Sequence, residues 1–252
     1  MSAEFEIPLT DEQEASSTPF ALVIWPDIHN DWNPREESNL GTMICFHRRY
    51  DLGDKHQYKD PDEFESFIDR HHLRDGKGGI LHTLYMYDHS GLYLRMDRGF
   101  SDIDPARWDW GKIGYLYVTN DQIRECYGRL TKANIAKAEK VLAAEFADYN
   151  NYLQGNVFCY RVMEVDDSGN VLVDQPNDLI EFSSGGVIAD GPKQVAELVL
   201  GNELLEEVRE RVGDRIHFVD DLFDVIPRPP KRKLVEMEKI VVNDPTEGGE
   251  TR

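Results

Sequence analysis

The stretch from Lys132 to Leu153 constrains this chain more than any other. Its apolar residues Ile135, Ala138, Leu142, Phe146, Tyr149 and Leu153 recur at steps of three and four, which places them on one face of an α-helix. Gly155 follows at the point where a helix ends on a residue tolerant of positive φ. A single helix of this kind has little stability of its own, so its apolar stripe must lie against another apolar surface.

The flanking sequence offers strands for that surface. "FALVIW" (Phe20 to Trp25) is an apolar run stopped by Pro26, "TMICFHR" (Thr42 to Arg48) is a second, and "KIGYLYV" (Lys112 to Val118) is a third. In "ILHTLYMYDHSGLYLRM" two β-rich runs flank Asp88-His89-Ser90-Gly91, which reads as a hairpin. Asp88 can bond the backbone two residues on, and Gly91 can supply positive φ. "NVFCYRVMEV" and "NVLVD" around "DDSG" read as another hairpin. Asp60-Pro61-Asp62-Glu63 starts a helix that carries Phe64, Phe67, Ile68 and His71, and Thr119 to Gln122 forms a capping box for a helix closing at Gly128.

Strands mostly adjacent in sequence predict an α+β fold, a largely antiparallel sheet with the Lys132–Leu153 helix packed across it. Past Asp178 the character changes. "EFSSGGVIADGP" is glycine-rich, "KQVAELVLGNELLEEVRERVG" gives one or two helices broken near Gly201, and "KLVEMEKIVV" reads as a last strand. The expected organisation is an acidic flexible arm (1–18), a main α+β domain (19–177), a smaller C-terminal α/β appendage (178–242) and a disordered tail (243–252).

Charge restricts the partners. There are 48 acidic and 28 basic residues in 252, a formal net charge of −20. Such a surface repels phosphate backbones, so general nucleic-acid binding is not expected. No apolar run approaches the ~20 residues that cross a bilayer, and the acidic N-terminus is unlike a secretory or mitochondrial leader. Three cysteines without paired spacing, Cys45, Cys126 and Cys159, fit reduced thiols and a cytoplasmic location.

Seven of the eight histidines fall between His29 and His89, among Asp27, Asp31, Asp51, Asp54 and Asp88. Imidazole and carboxylate together are metal-ligand chemistry, so a metal-dependent hydrolase is one reading. "DIHND" followed by "LGDKH" is similar to part of a metallophosphoesterase pattern, but the Gly-Asn-His element of such enzymes is missing. There is no G-x-S-x-G elbow for Ser90 and no glycine-rich nucleotide loop, and Cys45 and Cys159 sit in apolar runs.

Three segments together, "NPREESNLGTMICFHRRYDLGD" (33–54), "LYMYDHSG" (84–91) and "WDWGKIGYLYV" (108–118), resemble a group of uncharacterised bacteriophage and mobile-element proteins, with "EFADYNNYLQGNVFCY" (145–160) as a weaker fourth. The relatives carry a small residue where this chain has Trp110. The resemblance implies viral or mobile-element origin and action inside a host bacterium, without implying an activity. It singles out His47, Arg48, Arg49, Asp54, Asp88, His89, Trp108 and Asp109 as binding candidates. Arg48 or Arg49 paired to Asp88 or Asp109 as a structural ion pair is the alternative to a shared pocket. The leading expectation is a non-catalytic, acidic interaction protein acting on a host protein, with no cofactor. The rival is a metal-dependent hydrolase or phosphoesterase built from the histidine-rich half.

Overall fold

Six consecutive buried residues, Ile113 to Val118, mark the strand about which half of the molecule is organised. The computed structural model describes residues 19–166, 168, 183–204 and 206–220. In chain order the strands are β1 (Phe20–Pro26), β2 (Thr42–Cys45), β3 (Gly79–Asp88), β4 (Leu92–Met96), β5 (Trp110–Thr119), β6 (Val157–Glu164), β7 (Ser183–Ile188) and β8 (Ile216–Phe218). The helices are α1 (Pro61–Arg70), α2 (Asn120–Tyr127), α3 (Lys132–Leu153), α4 (Pro192–Leu198) and α5 (Glu206–Val212). The fold is α+β, and among the described residues the strands make two four-stranded sheets, ordered β7-β6-β1-β8 and β2-β5-β3-β4. All pairings within them are antiparallel except β1 with β8.

The second sheet is covered on both faces, which is why its central strand is apolar without alternation. Met43, Leu84, Met86, Leu116 and Val118 pack with Ala138, Leu142 and Tyr149 of α3. Ile44, Tyr115 and Tyr117 pack on the opposite face with Phe64 and Ile68 of α1 and with Leu73. Gly114 allows β2 and β5 to meet: a Cβ there would lie 1.9 Å from the carbonyl oxygen of Ile44.

Local signals fix the helix ends. Asp60 accepts the Glu63 N–H at 2.9 Å, ahead of Pro61. Thr119 and Gln122 complete the reciprocal capping box, and Gly128 ends α2 at φ 77°. Thr131 accepts the Asn134 N–H at 3.1 Å to start α3, and Gly155 follows its end at φ 75°.

The first sheet joins distant parts of the chain. β1 lies between β6 and β8, and β7 is an edge. One face, with Phe20, Leu22, Ile24, Phe158, Tyr160 and Val162, packs under Val195, Val199, Leu204, Val208 and Val212 of the α4–α5 region. A π-helical turn, Val199–Glu203, separates α4 from α5 at the expected break near Gly201. The glycine-rich "SSGGVI" is the strand β7, paired to β6 with a register shift between Phe158 and Tyr160, a bulge of the kind that accommodates glycine at a sheet edge. The expected boundary after residue 177 thus lies, along the chain, between two strands that pair with each other. The acidic arm, the "NVLVD" half of the second hairpin, the "KLVEMEKIVV" strand and the tail lie outside the described residues.

α1 is fastened to β5 by one carboxylate as well as by packing. Glu65 Oε1 accepts the Tyr115 hydroxyl at 2.8 Å and Lys112 Nζ at 2.7 Å, while Arg74 lies 3.1 Å from Oε2. The hydrogen bond from Lys112, then that from Tyr115, pulls the Glu65 carboxyl down to about 2. Its folded value lies below the unfolded value of roughly 4.3, so the contribution is present above about pH 4 and is lost as pH falls through about 2. Glu65→Gln is expected to lower stability at pH 7 by about 0.5–1 kcal/mol, a figure reduced for solvent screening, and to flatten the acid limb of stability against pH. Urea unfolding of both proteins from pH 7 to 2 checks this, and parallel acid limbs would refute it.

Candidate functional site

The hairpin turn at the end of β3 is where most of the sequence candidates meet. Ser90 adopts φ 58° and Gly91 φ 154°, and the His89 N–H donates to the Gly91 carbonyl at 3.2 Å. Ser90 is thus a turn residue. The Asp88 N–H donates to the Asp109 carbonyl at 2.8 Å, which ties the hairpin to the loop of residues 97–109 before β5. On the other side the chain leaves β2 with the Phe46 N–H on the Ile113 carbonyl at 2.7 Å and runs through His47 to Tyr50.

Arg49 pairs with Asp88. The Tyr50 hydroxyl lies 3.3 Å from Asp88 Oδ2. The His47 ring stacks on Tyr50 with centroids 5.0 Å apart, and its Nδ1 accepts the Arg49 N–H at 3.3 Å. Burial, then the Arg49 charge, pushes His47 below the usual imidazole value, in keeping with an acceptor nitrogen. His89 Nδ1 lies 3.0 Å from Asp109 Oδ2, and the His89 ring stacks on Tyr87. These are solvent-facing pairs on the sheet end, each worth about 0–1 kcal/mol. Arg48 is exposed.

Trp108 has 87% of its surface in solvent. Its loop is nonetheless firmly held. Asp104 accepts the N–H groups of Ala106 at 3.1 Å, Trp108 at 2.6 Å and Asp109 at 3.0 Å. Those backbone donors, Asp109 first, hold the Asp104 carboxyl below its usual value. The Trp110 indole N–H donates to the Asp104 carbonyl at 2.7 Å, and the Arg107 guanidinium covers the Trp110 ring at 4.5 Å. Ile103 and Tyr93 are also exposed at this end.

Asp54 does not join this group. Its carboxylate is gripped by the buried Arg35, Nε to Oδ1 at 2.7 Å and Nη2 to Oδ2 at 2.8 Å, and Oδ2 also accepts the Met43 N–H at 2.8 Å. Arg35 Nη2 donates to the Gly41 carbonyl at 2.7 Å. Nη1 is buried without a hydrogen bond, 3.7 Å from Glu145 of α3, which accepts the N–H groups of Leu40 at 2.6 Å and Gly41 at 3.0 Å. Arg35 and Glu145 were not among the expected site residues. Both lie within the segments that carry the resemblance, Arg35 beside Pro34 in a turn and Glu145 three residues after Leu142 on the apolar flank of α3.

The histidines disperse. His56 Nε2 contacts the Cys45 carbonyl at 3.0 Å, and His71 packs on Phe67. His82 Nδ1 reaches Asp97 at 2.6 Å, while its Nε2 is 2.9 Å from Glu139 but off the direction a hydrogen bond needs. Among the described residues no three His, Cys, Asp or Glu side chains form a group able to hold a metal ion. Asp27 and His29 line one cavity and Asp54 another. The buried Cys45 thiol is pushed up to about 12 by desolvation, and Cys159 up to about 11 by desolvation and then by Asp27. Both are poor nucleophiles in that state.

Asp54 is accordingly expected to govern stability. Asp54→Ala strands the Arg35 charge in the interior and is expected to cost about 3–5 kcal/mol, whereas the double variant Arg35→Met/Asp54→Leu recovers most of the loss. Denaturant titration of the three proteins tests this, and a cost under about 1 kcal/mol for the single variant would show the pair to be unimportant.

No family model, curated protein or solved structure matches the chain, so its function has to be read from its own residues.

Proposed function

We propose that this chain is a non-catalytic interaction protein of a bacteriophage or mobile element, and that it engages a host protein through the hairpin end of the second sheet. The observation that carries the reading is Trp108, 87% exposed on a loop pinned by three backbone hydrogen bonds to one Asp104 carboxylate. An indole held outward on a rigid loop loses little entropy when it docks, and tryptophan is enriched among the residues that dominate interface energies. Ile103 of the same loop and Tyr93 of β4 are also exposed.

The charge of the chain indicates the kind of partner. Asp109 and Arg107 flank Trp108, so the local charge is mixed, but the whole chain carries −20, which makes a basic protein surface the complementary one and disfavours nucleic acid. The phage or mobile-element origin rests on the resemblance of residues 33–54, 84–91 and 108–118. Among the described residues no helix is long and apolar enough to cross a membrane.

The test is affinity capture from bacterial lysate with the wild-type chain and Trp108→Ala side by side, followed by titration of the purified partner. The expected result is a basic protein retained by the wild type and bound about 30-fold more weakly by the variant. The variant's stability should stay within about 0.5 kcal/mol of wild type, as for other exposed substitutions. Equal retention by both proteins, or nothing retained above a blank matrix, would defeat the reading.

A further inference from the structure

The face of the first sheet turned away from α4 and α5 holds a separate group of side chains. In the β1–β6 register Trp25 stands opposite Cys159 and Val23 opposite Arg161, so Trp25, Cys159 and Arg161 share this face. Ser183 of the edge strand β7 stands opposite Arg161. With Ser184 and Gly185 these residues line a cavity of about 400 Å³, within the size range of small-ligand sites. A Cβ on Gly185 would come within 3.1 Å of Asp27 Oδ2 and 3.3 Å of Cys159 Sγ, so glycine lets this wall approach closely.

Arg161 is the unusual member. It is half-buried, yet among the described residues no carboxylate pairs with it, although the chain carries 20 more acids than bases. Two other well-covered arginines behave differently: Arg35 pairs with Asp54 and Arg95 with Asp102 at 2.6 Å. Asp27, farther along the same face, has its Oδ2 committed to the Gly186 N–H at 3.0 Å. Cys159 stays neutral, since burial and Asp27 hold its thiol near 11. The cavity thus presents a guanidinium fork, an indole and no thiolate.

We propose that this cavity binds a small organic anion in which a carboxylate or phosphate group is attached to an aromatic ring, with Arg161 taking the anionic group and Trp25 the ring. A guanidinium binds planar oxyanions through paired hydrogen bonds, and the partly covered indole of Trp25 offers a stacking surface. The negative field of the whole molecule repels polyanions, so a compact anion is the fitting ligand and a nucleic-acid strand is not.

Calorimetric titration of the full chain at low ionic strength with benzoate, phenyl phosphate and the neutral benzamide tests the proposal. The expected result is one equivalent of benzoate or phenyl phosphate bound with a dissociation constant of about 1 mM or below, the range that ligand efficiency allows for about ten non-hydrogen atoms. The tighter of the two anions identifies the acidic group. Arg161→Gln should weaken binding at least about tenfold without lowering the melting temperature, because no carboxylate among the described residues pairs with it, and Arg161→Lys should restore part of the affinity. Binding of benzamide as tight as that of both anions, equal affinity in Arg161→Gln, or no binding of either anion up to about 10 mM would each overturn the proposal.

Discussion

The buried guanidinium of Arg35 is the contact on which the second sheet and its covering helix depend. With a side chain only 1% exposed it meets Asp54 in a two-pronged pair, the Gly41 carbonyl and, at longer range, Glu145. One cation thus links the turn at Pro34–Glu36, the approach to β2, the loop after it and the middle of α3. Burying such a charge is unfavourable unless nearly every donor is answered. Here the answering groups come from segments more than a hundred residues apart, so the pair also fixes which segments can sit together. Near its C-terminal end α3 continues the same work with amides: Asn150 Oδ1 accepts the Leu94 N–H at 2.7 Å, and Asn151 donates to Asp190 at 2.9 Å, which reaches the strand-to-helix turn after β7.

The distribution of charge separates two uses of polar side chains. Arg35, Asp54 and Glu145 are interior and structural. The pairs at the hairpin end, Arg49 with Asp88 and His89 with Asp109, face water and serve mainly to hold loops in register beside Trp108. Asp104 belongs with them, since three backbone donors converge on its carboxylate and turn an irregular segment into a fixed platform.

Local signals were legible in the sequence, and distant ones were not. The apolar stripe of α3, the Asp60 and Thr119 caps and the Asp88–Gly91 turn are short-range patterns with direct physical causes, and each element appears where those causes place it. The association of β1 with β6 and β8 depends on long-range pairing that no local periodicity encodes. β7 was concealed by its glycines, which count against a strand except at a bulged edge. Among the candidate residues, His47, Arg49, Asp88, His89 and Asp109 gather because the hairpin tip and the loop before β5 share one end of a sheet. Asp54 is diverted by Arg35, a partner that sequence spacing could not reveal.

β1 occupies the middle of the first sheet, yet Phe20 pairs with Glu164 and Leu22 with Ile216. During synthesis at roughly 5–20 residues per second, its apolar edge therefore waits on the order of ten seconds for the first of these neighbours to emerge. The β2–β5 sheet and α1 are already out of the ribosome by then. The newborn chain consequently passes through a stage in which the second sheet can fold while β1 remains a greasy unpaired ribbon, and its yield in a cell will depend on how well that ribbon is shielded until β6 and β8 follow.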